Sequence, residues 1–294
     1  MWLKFWVEDG QEGTKLGPFL RSKEVSAALL KQVKYGQWGI LVNGVSQHTN
    51  YIVKKGDEIS LWLTEEFGEL KPQPMALQIV KETEHFVLLD KPAGLVVHPT
   101  LNHWENTLGT GWMGVLASRG QQGVFRPVNR LDKDTSGLVL VAKNSYSAAL
   151  LPKYVEKVYL AVAMGEMPLG DGQVDLPIAR CDGSVIKREV SPLGQPSTTQ
   201  YTVLAVGNGY SLLRLRLVTG RTHQIRVHMA ALGHPLAGDW LYGENTVAPI
   251  QRQALHCFGM KIPSFLNQKE EWFFTPPPED MQYLYHQIAL VDRK

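Results

Sequence analysis

Four charged residues crowd the run RPVNRLDKDTSGLVLVAKN, Arg126 to Asn144: Arg130, Asp132, Lys133 and Asp134 stand just ahead of the unbroken apolar stretch LVLVA. A segment apolar on both faces reads as an interior strand, which places Asp132 in a loop at the edge of the core. There, burial and neighbouring charge can tune a carboxylate. Arg130 and Lys133 supply balancing positive charge, and Thr135, Ser136 and Gly137 permit a tight turn back into the sheet. The chemistry open to such a carboxylate is nucleophilic: it can stabilise a developing positive centre or bond to it. Taken alone, an R-x-D before D-T-S-G more often forms a surface ion pair beside an ordinary turn.

A second group lies downstream. In LLRLRLV, Leu213, Leu215 and Leu217 alternate with Arg214 and Arg216, which predicts a strand with leucines in the core and arginines on one exposed face. From Val206 to Gly238 there are four arginines, Arg214, Arg216, Arg221 and Arg226, and no acid. An acid-free basic face suits phosphate. His223 and His228 are not spaced like a metal pair, so no metal is expected. Tyr159, in KVYLAVAM, reads on its own as core or cross-strand packing. There is no glycine-rich phosphate loop.

The elements that must position these residues follow from the pattern around them. Strand-like runs come in quick succession: FVLLD, GLVLVA, VYLAVAM, YTVLAV and YSLLRLRLV. Helical spacing is rarer, as in THQIRVHMAALG and EDMQYLYHQIAL. The pattern predicts an α+β catalytic domain on a mixed, mostly antiparallel β-sheet with flanking helices. Ahead of it stands a small α+β module. SKEVSAALLKQVK predicts a helix with Val25, Leu29, Leu30 and Val33 along one stripe and Ser22 as N-cap. GILVNGVSQ predicts a strand, an Asn-Gly turn and a strand, and YIVKKGDEISLWL a second hairpin around Gly56-Asp57. The polar, proline-bearing TEEFGELKPQPMA (Thr64–Ala76) reads as a linker, giving a module over 1–72 and a catalytic domain over 73–294.

The 294 residues are 44% hydrophobic and 20% charged, with a net charge of +2, so a nucleic-acid partner is permitted but not required by charge. Two distant cysteines, Cys181 and Cys257, point away from a disulfide scaffold and toward a reducing cytoplasm. MWLKFWVEDGQEG turns acidic before a signal-length apolar core could form, and no window reaches the ~20 apolar residues of a membrane helix. A cytoplasmic monomer is the expectation.

RLDKDTSGL (Arg130–Leu138) closely resembles the signature of the RluA-type pseudouridine synthases, and further blocks similar to that family follow in order. These are DKPAGLVVHP (Asp90–Pro99), EKVYLAVAMGE (Glu156–Glu166), LVTGRTHQIRVHMAALGHPLAGDWLYG (Leu217–Gly243), LHCFGM (Leu255–Met260) and TPPPEDM (Thr275–Met281). The resemblance spans about residues 77–290. One position departs from it: Asn129 stands where the signature usually opens with histidine. The N-terminal module resembles the α-L RNA-binding motif of a small-subunit ribosomal protein, through its helix, Val42-Asn43-Gly44 and Lys54-Lys55-Gly56-Asp57. Residues 1–72 hold nine Lys/Arg and nine Asp/Glu, a weak electrostatic footprint for RNA.

The resemblance implies isomerisation of uridine to pseudouridine in ribosomal or transfer RNA, without a cofactor. It implies Asp132 as nucleophile, Tyr159 against the target base to assist proton removal, and Arg226 paired with Asp132. Arg130 would fill the space left when the base turns out of its stack. Lys133, Arg221, His223, Arg214 and Arg216 are the expected RNA contacts. Two rivals differ in class: a non-catalytic RNA-binding factor, against which Asp132 and Tyr159 both stand, and a glycoside-type hydrolase, for which no second acid lies in a comparable block.

Overall fold

The computed structural model describes residues 1–64, 67–99, 104–243, 248–265 and 269–289. Glu65 and Glu66 of the linker, and residues 290–294 at the end of the expected catalytic domain, lie outside the described residues.

The N-terminal sheet begins earlier than the sequence pattern predicts. β1 (Trp2–Trp6) buries Leu3 and Phe5 while Lys4 and Trp6 face out. It pairs with β4 (Glu58–Trp62), which also pairs with β2 (Ile40–Val42); β2 closes a hairpin with β3 (Val45–Gln47). That hairpin turns through Asn43 and Gly44, both at positive φ, the conformation an Asn-Gly turn requires. The expected helix is instead two. α1 (Leu16–Ser22) ends at Ser22, and α2 (Ala27–Lys34) is capped by Ser26, which accepts from the Leu29 amide at 3.1 Å. Ser22 therefore closes a helix rather than opening one, donating to the Phe19 carbonyl at 2.7 Å. The expected second hairpin is also absent. Buried Asp57 gathers the Lys54 amide, Asn43 Nδ2 and the Tyr51 hydroxyl, so the KKGD turn folds inward and hands β4 to other partners.

The second sheet runs in the order β10-β13-β14-β9-β15-β8-β6-β5, with β16 beside β15 and β7 beside β8. Its strands are β5 (Gln78–Glu82), β6 (Phe86–Lys91), β7 (Arg126–Pro127), β8 (Ser136–Ala142), β9 (Glu156–Met164), β10 (Gly170–Asp175), β13 (Thr198–Gly207), β14 (Tyr210–Leu217), β15 (Leu255–Ile262) and β16 (Glu271–Phe274). A separate hairpin pairs β11 (Ile178–Arg180) with β12 (Arg188–Val190). Of these named strands only β8 and β15 pair in parallel, so the sheet is mixed and mostly antiparallel. All seven residues of β8 are buried. Its approach to β15 depends on Gly137, at φ +111, where a Cβ would stand 2.4 Å from the Cys257 carbonyl oxygen.

Helices flank the sheet: α3 (Leu108–Ser118), α4 (Ser145–Tyr154), α5 (Gln224–Ala231) and α6 (Glu279–Ala289). α3 has a capping box formed by Thr107 and Thr110. Its glycines, which resemble a loop in sequence, serve packing: a Cβ at Gly114 would meet the Gln73 carbonyl at 2.0 Å. The linker thus lies flat on the helix. α4 carries the N-terminal sheet, with Phe5 against Tyr146 and the Tyr146 hydroxyl donating to the Lys23 carbonyl at 2.7 Å. Among the described residues no helix is long and apolar enough to cross a membrane.

Candidate active site

Asp132 stands at the tip of a hairpin. β7 pairs with the far end of β8, and the Val128 amide continues the ladder to the Leu140 carbonyl at 2.7 Å. Asn129 then replaces one rung with its side chain. Its Nδ2 donates to the Leu138 carbonyl at 3.0 Å, and its Oδ1 accepts from the Leu140 amide at 2.8 Å. The residue that departs from the signature therefore fastens the loop to the strand. Past it the chain reverses, the Thr135 amide donating to the Asp132 carbonyl at 3.1 Å. The Asp132 side chain keeps 27% of its exposure, while Arg130 and Lys133 beside it are exposed.

Arg226 reaches Asp132 from α5, its Nη1 donating to Oδ2 at 3.2 Å. The rest of the guanidinium is committed to Asp239, which accepts from Nε at 2.7 Å and Nη2 at 2.8 Å. Asp239 is 1% exposed, and its Oδ1 also accepts from the Leu241 and Tyr242 amides. Burial works against the Arg226 charge, but the two carboxylates, Asp239 first, outweigh it and raise its pKa above the ordinary value. The Tyr242 ring lies 5.0 Å from the guanidinium. Its hydroxyl meets His223 Nδ1 at 2.9 Å and accepts from the Arg188 amide at 2.9 Å.

His223 precedes α5 in the left-handed region, at φ 57, a conformation that aims its other nitrogen to within 3.8 Å of the Asp132 carboxylate. Burial lowers its pKa below 6.5 despite the pull of Asp132, so at neutral pH it is an uncharged polar neighbour. Tyr159 lies on β9 opposite Leu215, 5% exposed. Burial, and then its hydrogen-bond partner the Cys257 thiol, raise its pKa well above 10. The phenol is neutral, with Asp132 close enough to add to that shift.

The sequence-predicted residues thus divide. Asp132, Tyr159, Arg226 and His223 converge. Arg130 and Lys133 edge the same turn, and exposed Arg221 lies two residues before His223, its Nε donating to the Pro196 carbonyl at 3.4 Å. Arg214 and Arg216 do not join them. Directly opposed residues share a face; Tyr159 faces Leu215 across the pair, whereas Arg214 faces Leu160 and Arg216 faces Val158. The alternating pattern correctly gives the arginines an exposed face, but it is the reverse of the one that carries Tyr159, so they stand apart from the Asp132 cluster. Arg216 is ion-paired with Glu156 there.

Three residues of the site go unnamed in the sequence reading: Asp239, Tyr242 and Lys91. The first two lie inside the GDWLYG end of the long block, and the third inside DKPAGL. Lys91 is fully buried, its Nζ donating to the carbonyls of Pro92, Leu95 and Lys133 at 2.8–2.9 Å. Burial lowers its pKa to about 7 against the pull of Asp134 and Asp132. Among the described residues no three His, Cys, Asp or Glu side chains converge as a metal-binding group.

Comparison with known proteins bears on this cluster. Residues 85–231, which contain Asp132, Tyr159 and Arg226, match the family described as RNA pseudouridylate synthase. The uncharacterized RNA pseudouridine synthase YjbO of Bacillus subtilis is 36% identical over 267 residues, covering 88% of this chain and 94% of its own. The ribosomal large subunit pseudouridine synthase D of Escherichia coli is 35% identical over 265 residues, covering 82% and 80%. The solved structure of human RNA pseudouridylate synthase domain containing 1 superposes with a TM-score of 0.58 at 28% identity, covering 70% of this chain and 86% of that one. On these matches the chain belongs to the RNA pseudouridylate synthase family, and it is an isomerase that converts uridine to pseudouridine in RNA.

Proposed function

We propose that Asp132 is the nucleophile of this isomerisation, and that the target uridine is turned out of its stack to reach it. The observation that carries the reading is the Asp132 carboxylate itself, part-open at a hairpin tip and 3.2 Å from a buried guanidinium. Because Arg226 is already neutralised by Asp239, it orients Asp132 without quenching it in a tight two-fork pair. In the reaction the N-glycosidic bond breaks, the base turns, and C5 bonds to the sugar. C5 loses its hydrogen and N1 gains one, so atoms balance without an oxidant or donated group. No cofactor is required. Asp132 adds to the nucleoside, at the sugar centre as the N-glycosidic bond breaks or at the ring. The bond it forms breaks again to release the carboxylate when the C5–sugar bond has formed. Tyr159 packs on the base and assists removal of the C5 proton; as a neutral phenol it acts as a relay, accepting that proton as its own passes to water, from which N1 takes one up. Exposed Arg130 fills the vacated stack, where a planar guanidinium can lie between bases and hold phosphate.

The substrate we propose is structured ribosomal or transfer RNA, with Lys133, Arg221 and His223 at its rim. The relative named for the large ribosomal subunit favours ribosomal RNA. The module over 1–72, proposed as a unit distinct from 73–294 although docked on α4, adds RNA contact. The test is tritium release from RNA carrying 5-labelled uridine. Asp132→Asn should bind the RNA as the unaltered protein does and release nothing measurable. Release near the unaltered rate would remove Asp132 from the mechanism.

A further inference from the structure

The three residues after Asp132 are each held by a side chain from a distant part of the chain. The Lys133 carbonyl accepts from Lys91 Nζ at 2.9 Å, the Asp134 carbonyl from Arg252 Nη1 at 3.1 Å, and the Thr135 hydroxyl accepts from Gln253 Nε2 at 3.1 Å. Lys91 and Gln253 are buried, and they hold the turn from the body of the sheet. Arg252 is anchored differently. Its Nε and Nη2 each donate at 2.7 Å to the two oxygens of Asp280, in the first turn of α6. α6 packs through Met281, Leu284 and Ile288 on Val162 and Leu212, on the sheet face away from Tyr159. Arg252 is therefore the link by which the C-terminal helix reaches the turn that carries Asp132.

We infer that Arg252, oriented by Asp280, is a positioning residue for the reaction: it fixes the Asp132–Thr135 turn so that the carboxylate meets the flipped nucleoside in reacting geometry. The guanidinium suits this task because its fork can grip a carboxylate with two nitrogens while a third reaches a carbonyl; a lysine ammonium offers a single point. Without the pair the Asp134 carbonyl loses its partner and the turn gains freedom where a displacement of ~1 Å costs about 100-fold in rate. The inference rests on the reading of Asp132 as nucleophile.

The experiment uses the full chain and single-turnover tritium release at saturating RNA, with RNA affinity measured separately. Arg252→Met should slow release by about 100-fold and Asp280→Asn by about ten-fold, each with RNA affinity within about two-fold of the unaltered protein. The double variant should be no slower than Arg252→Met, because the two residues act through one contact. Arg252→Lys should recover part of the rate. Unaltered rates at saturating RNA, whether or not the melting temperature falls, would make the pair structural only and overturn the inference. A loss confined to affinity would make Arg252 an RNA contact and overturn it equally. Should Arg252→Met fail to fold, Asp280→Asn, whose side chain is 42% exposed, decides alone. Asp132→Asn run in parallel separates the two readings. If it is active, the nucleophile assignment fails; if it is inactive while both clamp variants match the unaltered protein, only the positioning role fails.

Discussion

Arg226 and Arg216 sit on opposite sides of one sheet and show how differently one residue type can be used. Arg226 is 4% exposed and its fork is filled by Asp239 and Asp132. Arg216 is 51% exposed and paired with Glu156, itself 41% exposed. On the exposed face water and salt screen the pair, and such pairs contribute roughly 0–1 kcal/mol. On the buried face the guanidinium cannot be removed without stranding a carboxylate that has no access to water. The guanidinium beside the Asp132 carboxylate is the one already paired with a second acid, and the one that looks like an RNA footprint lies on the reverse face of the sheet.

The comparison breaks if the two arginines respond alike. Arg226→Met should be the most damaging change. It strands Asp239 and frees Asp132, so destabilisation of about 3–5 kcal/mol and loss of tritium release are both expected; thermal denaturation and single-turnover rates check this. Tyr159→Phe, on the same face, should keep the fold and lower the rate by about 100-fold to 10,000-fold, the range for a lost proton-transfer group. An unchanged rate would return Tyr159 to simple packing. Acid and salt then distinguish interior from surface. Burial depresses the pKa values of His223, His228 and His256 below 6.5. The unfolded chain therefore binds protons first, so their contribution is intact above about pH 6.5 and is lost as pH falls through it. Melting temperature should drop between pH 7 and pH 5. The smallest effect is expected from Arg214→Ala with Arg216→Ala: under about two-fold on a short RNA, and a stability change within about 1 kcal/mol. A ten-fold loss there would place RNA on the reverse face and dissolve the contrast.

Much of this arrangement is legible in the sequence. LVLVA forms the fully buried β8, the Leu-Arg alternation forms β14 with the expected faces, and the blocks that carry Asp132, Tyr159 and Arg226 meet at one place. What is not legible is pairing across distance. Asp239 reads as a turn residue, because Gly-Asp usually is one. Only the fold shows it lodged beneath Arg226. Lys91 before Pro92 reads as a solvated charge; two of its carbonyl partners, Pro92 and Leu95, are local, but the third, Lys133, is 42 residues away and is not adjacent until the sheet closes. Asn129 looks like a departure from the signature, yet it mimics a backbone rung. β1 was hidden for another reason: its alternation is carried by tryptophans, which hydrophobic patterning counts as core even when they face out. The strand faces themselves could be read, but which side of the sheet held the chemistry could not, since alternation has no sign.

The Asn129 rung has a consequence for how this region can vary. Because the Asn129 side chain bonds Leu138 and Leu140 of β8 in place of its backbone, the residue count along the hairpin decides whether Asp132 arrives opposite Arg226. A changed side chain nearby leaves that count intact. A single inserted or deleted residue between Asn129 and Leu138 does not: it moves the tip off its clamps, or slips the ladder and exchanges inward for outward side chains. Length, more than composition, is the constrained quantity in this loop.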